Sequence, residues 1–300
     1  MYRILQQHPP SSSTTSLLPP TTTLTLSTTT AFIEDPSMID RLNNAVVASF
    51  VPLEVLYMWI GLSFNDRPPT VMAPLFPGCD YEHIIVKEAV DSVGPIDVLV
   101  CNQGVFVAQE LENQEMKEIR DMIEINLIGT FNLVKAALPA MKSRTDRKPV
   151  SIAFMSSQAG QVGIYGYTSY SASKFGLRGL AEALQQEVIA DNIHVSVIFP
   201  PDTDTPGLAE ENKRKPRLTS IIAASSGAMK ADEVAQKAWS GIKSGSFFVP
   251  CNLEGFMLSV ATAGLSPQRS YLMAFVEVIS AGLMRVAGLC FQWSWYVIHM

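Results

Sequence analysis

From residue 83 onward the chain repeats one alternation: an amphipathic helical pattern, a turn, then a short and dominantly apolar run. HIIVKEAVDSV (83–93) leads through Gly94 and Pro95 to IDVLVC (96–101). Gln114–Lys142 follows, with Ile119, Ile123 and Leu127 on one helical face, and then VSIAFMS (150–156). Tyr167–Ile189 leads to IHVSVIF (193–199), and Ala231–Lys243 to FFVP (247–250). A strand with one wet face would alternate apolar and polar residues, and these do not. Apolar strands separated by helices predict an α/β fold whose parallel sheet is covered on both faces.

The flanks have a different texture. Residues 9–30, PPSSSTTSLLPPTTTLTLSTTT, are low in complexity and lack the periodicity of a packed element. Two readings stand for them, a transit-like leader and a disordered tail. AVVASFVPLEVLYMWIGLSF (45–64) has the length of a membrane span, but Pro52 and Glu54 interrupt it, so a buried segment is the alternative. RPPTVMAPLFPG (67–78) carries four prolines and reads as loop. The last fifty residues are almost wholly apolar, interrupted by Glu277 and Arg285, with Trp293, Trp295 and Tyr296 near the end. Membrane lipid is the favoured partner for this surface, and a homo-oligomer interface or core packing is the alternative. The divisions are 1–78, unassigned; 79–250, an α/β domain; and 251–300, an apolar C-terminal segment.

Bulk properties exclude some functions. A net charge of −6 argues against sequence-independent nucleic-acid binding. Cys79, Cys101, Cys251 and Cys290 are far apart, and His8, His83, His194 and His299 are scattered. That spacing predicts neither a metal site nor a disulfide framework, and fits a reducing compartment.

YSASK (170–174) carries the chemistry. Tyr170 and Lys174 are four apart, on one helical face, with small residues between them. Ser157 ends the preceding strand, and ligands of parallel α/β sheets bind beyond strand C-termini. A tyrosine titrates near 10, and a neighbouring ammonium lowers that value toward useful proton exchange. Such a tyrosine can protonate the oxygen of a ketone as hydride reaches its carbon, while a serine hydroxyl stabilises the developing charge. Taken alone, the pair also suits a solvated helix face. Three further features align with it. CNQG (101–104) follows a strand and offers a glycine for close approach of a cofactor. Asn126 sits mid-helix, where its amide needs a use. PPDTDTP (200–206) follows another strand.

On these residues the chain from about Cys79 resembles the short-chain dehydrogenase/reductases, whose fold is a Rossmann-like doubly wound parallel sheet. CNQG stands where that family has an Asn-Ala-Gly turn, with Gln103 for Ala. Pro201 replaces a usual glycine in PPDTDTP. SSQAGQVGIYGYTSYSASKFGLRGLAEALQQEV and FPPDTDTPGLAEEN resemble the branch of 3-ketodihydrosphingosine reductases, its plant members through NQGVF, FNLVKAALPAMK and GLSPQRS. The resemblance implies NADPH-dependent reduction of a long-chain sphingoid ketone, in sphingolipid synthesis, at the cytosolic face of the endoplasmic reticulum membrane. It implies Tyr170 as acid, Lys174 as the group that tunes it and holds the ribose, Ser157 as polariser of the ketone and Asn126 as support of a water relay. It also implies cofactor contacts from Asn102, Gly104, Tyr170, Lys174, Pro200, Thr203, Thr205 and Asp80.

One family feature has no counterpart. The family opens on a TGxxxGxG turn that cradles the cofactor pyrophosphate, whereas here only Gly61 and Gly78 precede Gly94. The expected sheet is therefore incomplete, with IDVLVC left as an edge strand. Two classes of function stand: a sphingoid-ketone reductase, and a membrane-associated remnant that turns nothing over. A reductase of another lipid or steroid ketone is a third reading.

Overall fold

In the computed structural model, residues 45–50, 70–74, 86–87, 89–91, 94–146, 148–223 and 227–299 are described. All fall within one compact unit, Leu42–Met300. Its centre is a six-stranded parallel sheet built from β1 (Ala45–Phe50), β2 (Thr70–Pro74), β3 (Ile96–Cys101), β4 (Val150–Met155), β5 (Ile193–Phe199) and a short strand, Phe248–Pro250. The order is β2-β1-β3-β4-β5 and then Phe248–Pro250. It reverses direction between β1 and β3, the point at which open α/β sheets bind ligands.

This order corrects two expectations. IDVLVC is an interior strand, because Ala45–Phe50 pairs with its outer side, Val46 opposite Val98 and Ser49 opposite Cys101. Those six residues open the stretch read as a membrane span or buried segment; residues 51–64 lie outside the described residues. TVMAP, read as loop, is the edge strand, with Thr70 opposite Val46. Its proline stands opposite Phe50 at the last position of an edge strand, a place where sheets tolerate proline. The sheet thus begins ahead of the boundary drawn at residue 79.

The strands are apolar because both faces are covered. Leu99, Ile152, Phe154, Val195 and Val197 point to one side, among Leu133, Ala137 and Met141 of a helix over Gly129–Lys142 and Ala181, Leu184 and Val188 of a helix over Thr168–Val188. Val100, Ala153 and Ile198 point to the other, among Val234, Ala238 and Ile242 of a helix over Ala231–Lys243. The alternation is the period of two that a strand imposes. A buried ion pair, Asp97 to Arg144, ties the start of β3 to the turn after Lys142.

We label the helices α1 (Met116–Ile123), α2 (Gly129–Lys142), α3 (Thr168–Val188), α4 (Pro206–Asn212), α5 (Arg217–Ala223), α6 (Ala231–Lys243), α7 (Leu253–Ala261) and α8 (Tyr271–His299). A π-helical turn, Glu124–Ile128, joins α1 to α2 without a break. It shifts the buried stripe, so Met122, Asn126, Thr130 and Leu133 face inward while Ile119, Ile123 and Leu127 are half-buried. Helix α7 docks through Gln161, which donates to Ser259 Oγ at 2.8 Å, and Gln158, which donates to Asn252 Oδ1 at 2.8 Å. Helix α8 is different. Tyr271–Val297 is apolar and long enough to cross a membrane, and its most apolar window buries nothing against the rest of the chain.

Candidate active site

The site forms where β3, β4 and β5 end. Ser157 leaves β4 in extended conformation and caps a short 3-10 turn, Gln158–Gly160, its Oγ accepting from Ala159 N at 3.2 Å. The chain then enters α3, which carries Tyr170 in its first turn and Lys174 one turn on. Lys174, 4% exposed, donates from Nζ to the Met155 carbonyl at 2.9 Å, and Nζ lies 5.6 Å from the centre of the Tyr170 ring. The turn and α3 touch closely. A Cβ on Gly160 would stand 2.3 Å from Ser156 Oγ and 2.9 Å from the Lys174 carbonyl oxygen.

Asn126 occupies the π-turn and is fully buried. Its Oδ1 accepts from Val105 N at 2.8 Å, and its Nδ2 donates to Val105 O at 3.0 Å and to Ser173 Oγ at 2.9 Å. The amide thus clamps the loop after β3 against α3. Gln103, which stands where the family has alanine, is 1% exposed and donates to Thr130 Oγ1 at 2.7 Å. These bonds aim CNQG at the site. A Cβ on Gly104 would lie 3.3 Å from Lys174 Nζ and 3.5 Å from Asn126 Oδ1, so a side chain there would crowd both.

The third wall is the segment after β5. Thr203 Oγ1 donates to the Pro201 carbonyl at 3.0 Å, and Thr205 caps α4, accepting from Leu208 N at 3.0 Å. Asp202 pairs at 2.9 Å with Lys215, whose side chain is 3% exposed. Together these elements enclose a cavity of about 200 Å³. Ser157, Tyr170, Lys174, Asn102, Gly104, Pro200, Thr203 and Thr205 all line it. Asn126 stands behind the wall as a positioning residue, and Asp80 lies outside the described residues. Sequence reasoning missed Phe106, Tyr167 and Glu211, which also line the cavity. Phe106 packs edge-on against the Tyr167 and Tyr170 rings, at 4.6 and 4.4 Å between centroids.

Burial governs the charges. It lowers Lys174 to about 8, opposed by Glu211. It pushes Tyr170 above the ordinary phenol range, with Glu211 adding to the rise and a hydrogen bond with Ser157 opposing it. The lowering of Tyr170 expected from its lysine is therefore not found: burial, and then the carboxylates of Glu211 and Asp202, disfavour the phenolate. A protonated Tyr170 is the form an acid requires.

The donor set fits the nicotinamide end of a dinucleotide. A glycine permits close backbone approach, threonine hydroxyls and a buried lysine face one cavity, and all stand at parallel strand ends.

A family model for short chain dehydrogenases matches residues 82–216. The 3-dehydrosphinganine reductases TSC10B and TSC10A of Arabidopsis thaliana are 61% and 62% identical to this chain over 217 residues. Each match takes in 72% of this chain, but 65% and 66% of the relatives' own length, just under two thirds. A 3-dehydrosphinganine reductase of Danio rerio is 38% identical over 77% of this chain and 70% of its own length. Among solved structures, a short-chain dehydrogenase from Streptomyces avermitilis superposes with a TM-score of 0.57 at 17% identity, covering 83% of this chain and 97% of that one. An actinorhodin polyketide ketoreductase with NADPH gives 0.57 at 23% identity, covering 68% and 84%. These two likenesses speak for the fold alone.

Proposed function

This chain belongs to the short-chain dehydrogenase family, and from that premise we propose that it reduces the ketone of 3-dehydrosphinganine to the alcohol of sphinganine with NADPH. The observation that carries the reading is the convergence of Tyr170, Ser157 and Lys174 on one cavity at the strand ends. A nicotinamide cofactor, when bound, supplies hydride to the ketone carbon. Tyr170 gives its proton to the ketone oxygen, and Ser157 donates a hydrogen bond to the same oxygen. Lys174, held by the Met155 carbonyl, supports the tyrosine and faces the ribose, while Asn126 keeps the loop before it in place. Asn102, Gly104, Pro200, Thr203 and Thr205 hold the nicotinamide end. The same reading sets the enzyme in the endoplasmic reticulum membrane with its site toward the cytosol, a setting that the unburied apolar α8 supports.

A second reading rests on one sequence fact: only Gly61 and Gly78 precede Gly94, so no glycine-rich pyrophosphate turn can be traced. It makes the chain a lipid-ketone binder without turnover. The test is NADPH titration of the purified chain, then addition of 3-dehydrosphinganine, with product identified by mass. Saturable NADPH binding and sphinganine formation are expected, and Tyr170→Phe should lose about 10²–10⁴-fold in kcat while still binding NADPH. A folded chain that binds no NADPH establishes the second reading. Reduction of a steroid ketone in preference to this substrate overturns the choice of substrate.

A further inference from the structure

The cavity holds a carboxylate that the reduction does not use. Glu211 lies on α4 and lines the same space as Tyr170, Ser157 and Lys174. Two acidic side chains reach this wall, and they differ. Asp202 is neutralised by Lys215 at 2.9 Å. Glu211 makes no ion pair or side-chain hydrogen bond among the described residues, although its charge bears on both Tyr170 and Lys174. A second group beside it is also unsatisfied. Tyr167 lines the cavity and is 4% exposed, yet its hydroxyl has no hydrogen-bond partner among the described residues. Buried polar groups are nearly always paired, so an orphan hydroxyl beside an unpaired carboxylate marks a wall that awaits a ligand.

We infer that Glu211 receives the protonated amino group of the substrate, with the Tyr167 hydroxyl as a second polar contact. This deepens, and rests on, the proposal that 3-dehydrosphinganine is the substrate: in that molecule, an aminoketone, the carbon next to the reducible ketone carries an amine. An ammonium there enters a cavity that already contains Lys174, and two like charges repel. Glu211 offsets that repulsion. Its carboxyl is pushed up to about 7 by burial and by Asp202, with Lys215 and Lys174 pulling it back. An arriving ammonium lowers that value and completes the ionisation, so the amine draws out the full charge of the carboxylate. A ketone without the amine leaves Glu211 unpaired, and the site discriminates against it.

The test measures binding, by calorimetry, of three short-chain soluble ligands to the full chain: the 2-amino-1-hydroxy-3-ketone, its des-amino counterpart and its N-acetyl derivative. The readout is the ratio of affinities, which is independent of turnover. In the unaltered chain the amino ketone should bind about 10–100-fold more tightly than either neutral ligand. Glu211→Gln should bring that ratio near one, and Asp202→Asn should not. The N-acetyl ligand keeps the test sound should the glutamine variant fold poorly. Equal affinity for all three ligands overturns the inference, as does a ratio that survives Glu211→Gln. Failure of the chain to bind any of them, together with tight binding of an unrelated ketone, overturns the aminoketone reading and the inference with it.

Discussion

Lys174 shows how a functional residue opposes the fold that holds it. Its ammonium is buried, and burial lowers its pKa from 10.5 to about 8. That gap corresponds to ~3 kcal/mol of destabilisation wherever both states are charged. Its bond to the Met155 carbonyl returns about 1 kcal/mol. Lys174→Met should therefore stabilise the chain by about 2 kcal/mol at pH 7 while abolishing the proposed reduction. The pH sign follows from proton counts. Below about 8 the lysine is charged whether folded or not, and the folded state bears the full cost. Between about 8 and 10.5 the unfolded chain holds the proton that the folded chain has released, so stability of the native protein rises with pH. The advantage of Lys174→Met should thus be largest at pH 7 and close by pH 10. Urea titrations of both proteins at the two values check this; a gap that does not change with pH would show that Lys174 keeps its ordinary pKa and stays charged in the folded chain up to pH 10. Among the site residues, YSASK was legible only in company: its spacing alone suits a solvated helix face, and the strand-end Ser157, the CNQG turn and the mid-helix Asn126 single it out. Glu211 was not, since PGLAEEN has the composition of an ordinary solvated helix. Only the placement of α4 turns its carboxylate into the cavity.

At the level of elements, the site depends on how the turn Gln158–Gly160 lies against α3. Ser156 Oγ donates to the Lys174 carbonyl at 3.0 Å, directly where a Cβ on Gly160 would have to stand. Gly160→Ala must break that bond or move the turn, because one neighbour is helix backbone and cannot swing aside. Overpacking of this kind costs about 1–3 kcal/mol. The displacement falls between Ser157 and Lys174, so kcat should drop by about 10²-fold if the turn moves by ~1 Å. Thermal unfolding and steady-state rates measured on the same preparation check both arms; full activity with native stability would mean the contact relaxes freely. The strands around this turn were legible from sequence for a plain reason: β3, β4 and β5 are each buried on both faces and so are apolar along their length. β1 and β2 were not. Ala45–Phe50 runs on into further apolar residues, which hides its end, and TVMAP is surrounded by prolines that signal loop. Local composition cannot report that β1 takes up the hydrogen bonds of β2, or that β3, some fifty residues on, takes up those of β1.

Among the described residues, a covered α/β body carries at its end a helix, α8, whose apolar window is not buried. Residues 262–270 leave that body by a fixed route, because Arg178 donates to the Thr262 carbonyl and, at 2.8 Å, to Ser266 Oγ. Helix α8 begins beyond Ser270, and Gln268 donates to Glu277 Oε1 in its second turn at 2.7 Å. Twenty-seven helical residues reach about 40 Å, more than the roughly 30 Å of a bilayer's hydrocarbon core. Leu272, Phe275, Ile279, Leu283 and Trp293 are each more than 60% exposed along it, and no packing within the chain accounts for them. Apolar surface on this scale calls for a partner, and the proposed long-chain substrate makes lipid the one to test. Removing residues 271–300 deletes the helix and leaves the Arg178 anchors intact. The truncated chain should unfold at nearly the same temperature as the full chain but fail to float with phospholipid vesicles. The full chain should float in high salt, since hydrophobic insertion is not screened. Equal flotation of both would assign lipid contact to another part of the chain. A full chain that ignores vesicles and forms salt-stable oligomers, lost on truncation, would assign α8 to a second copy instead.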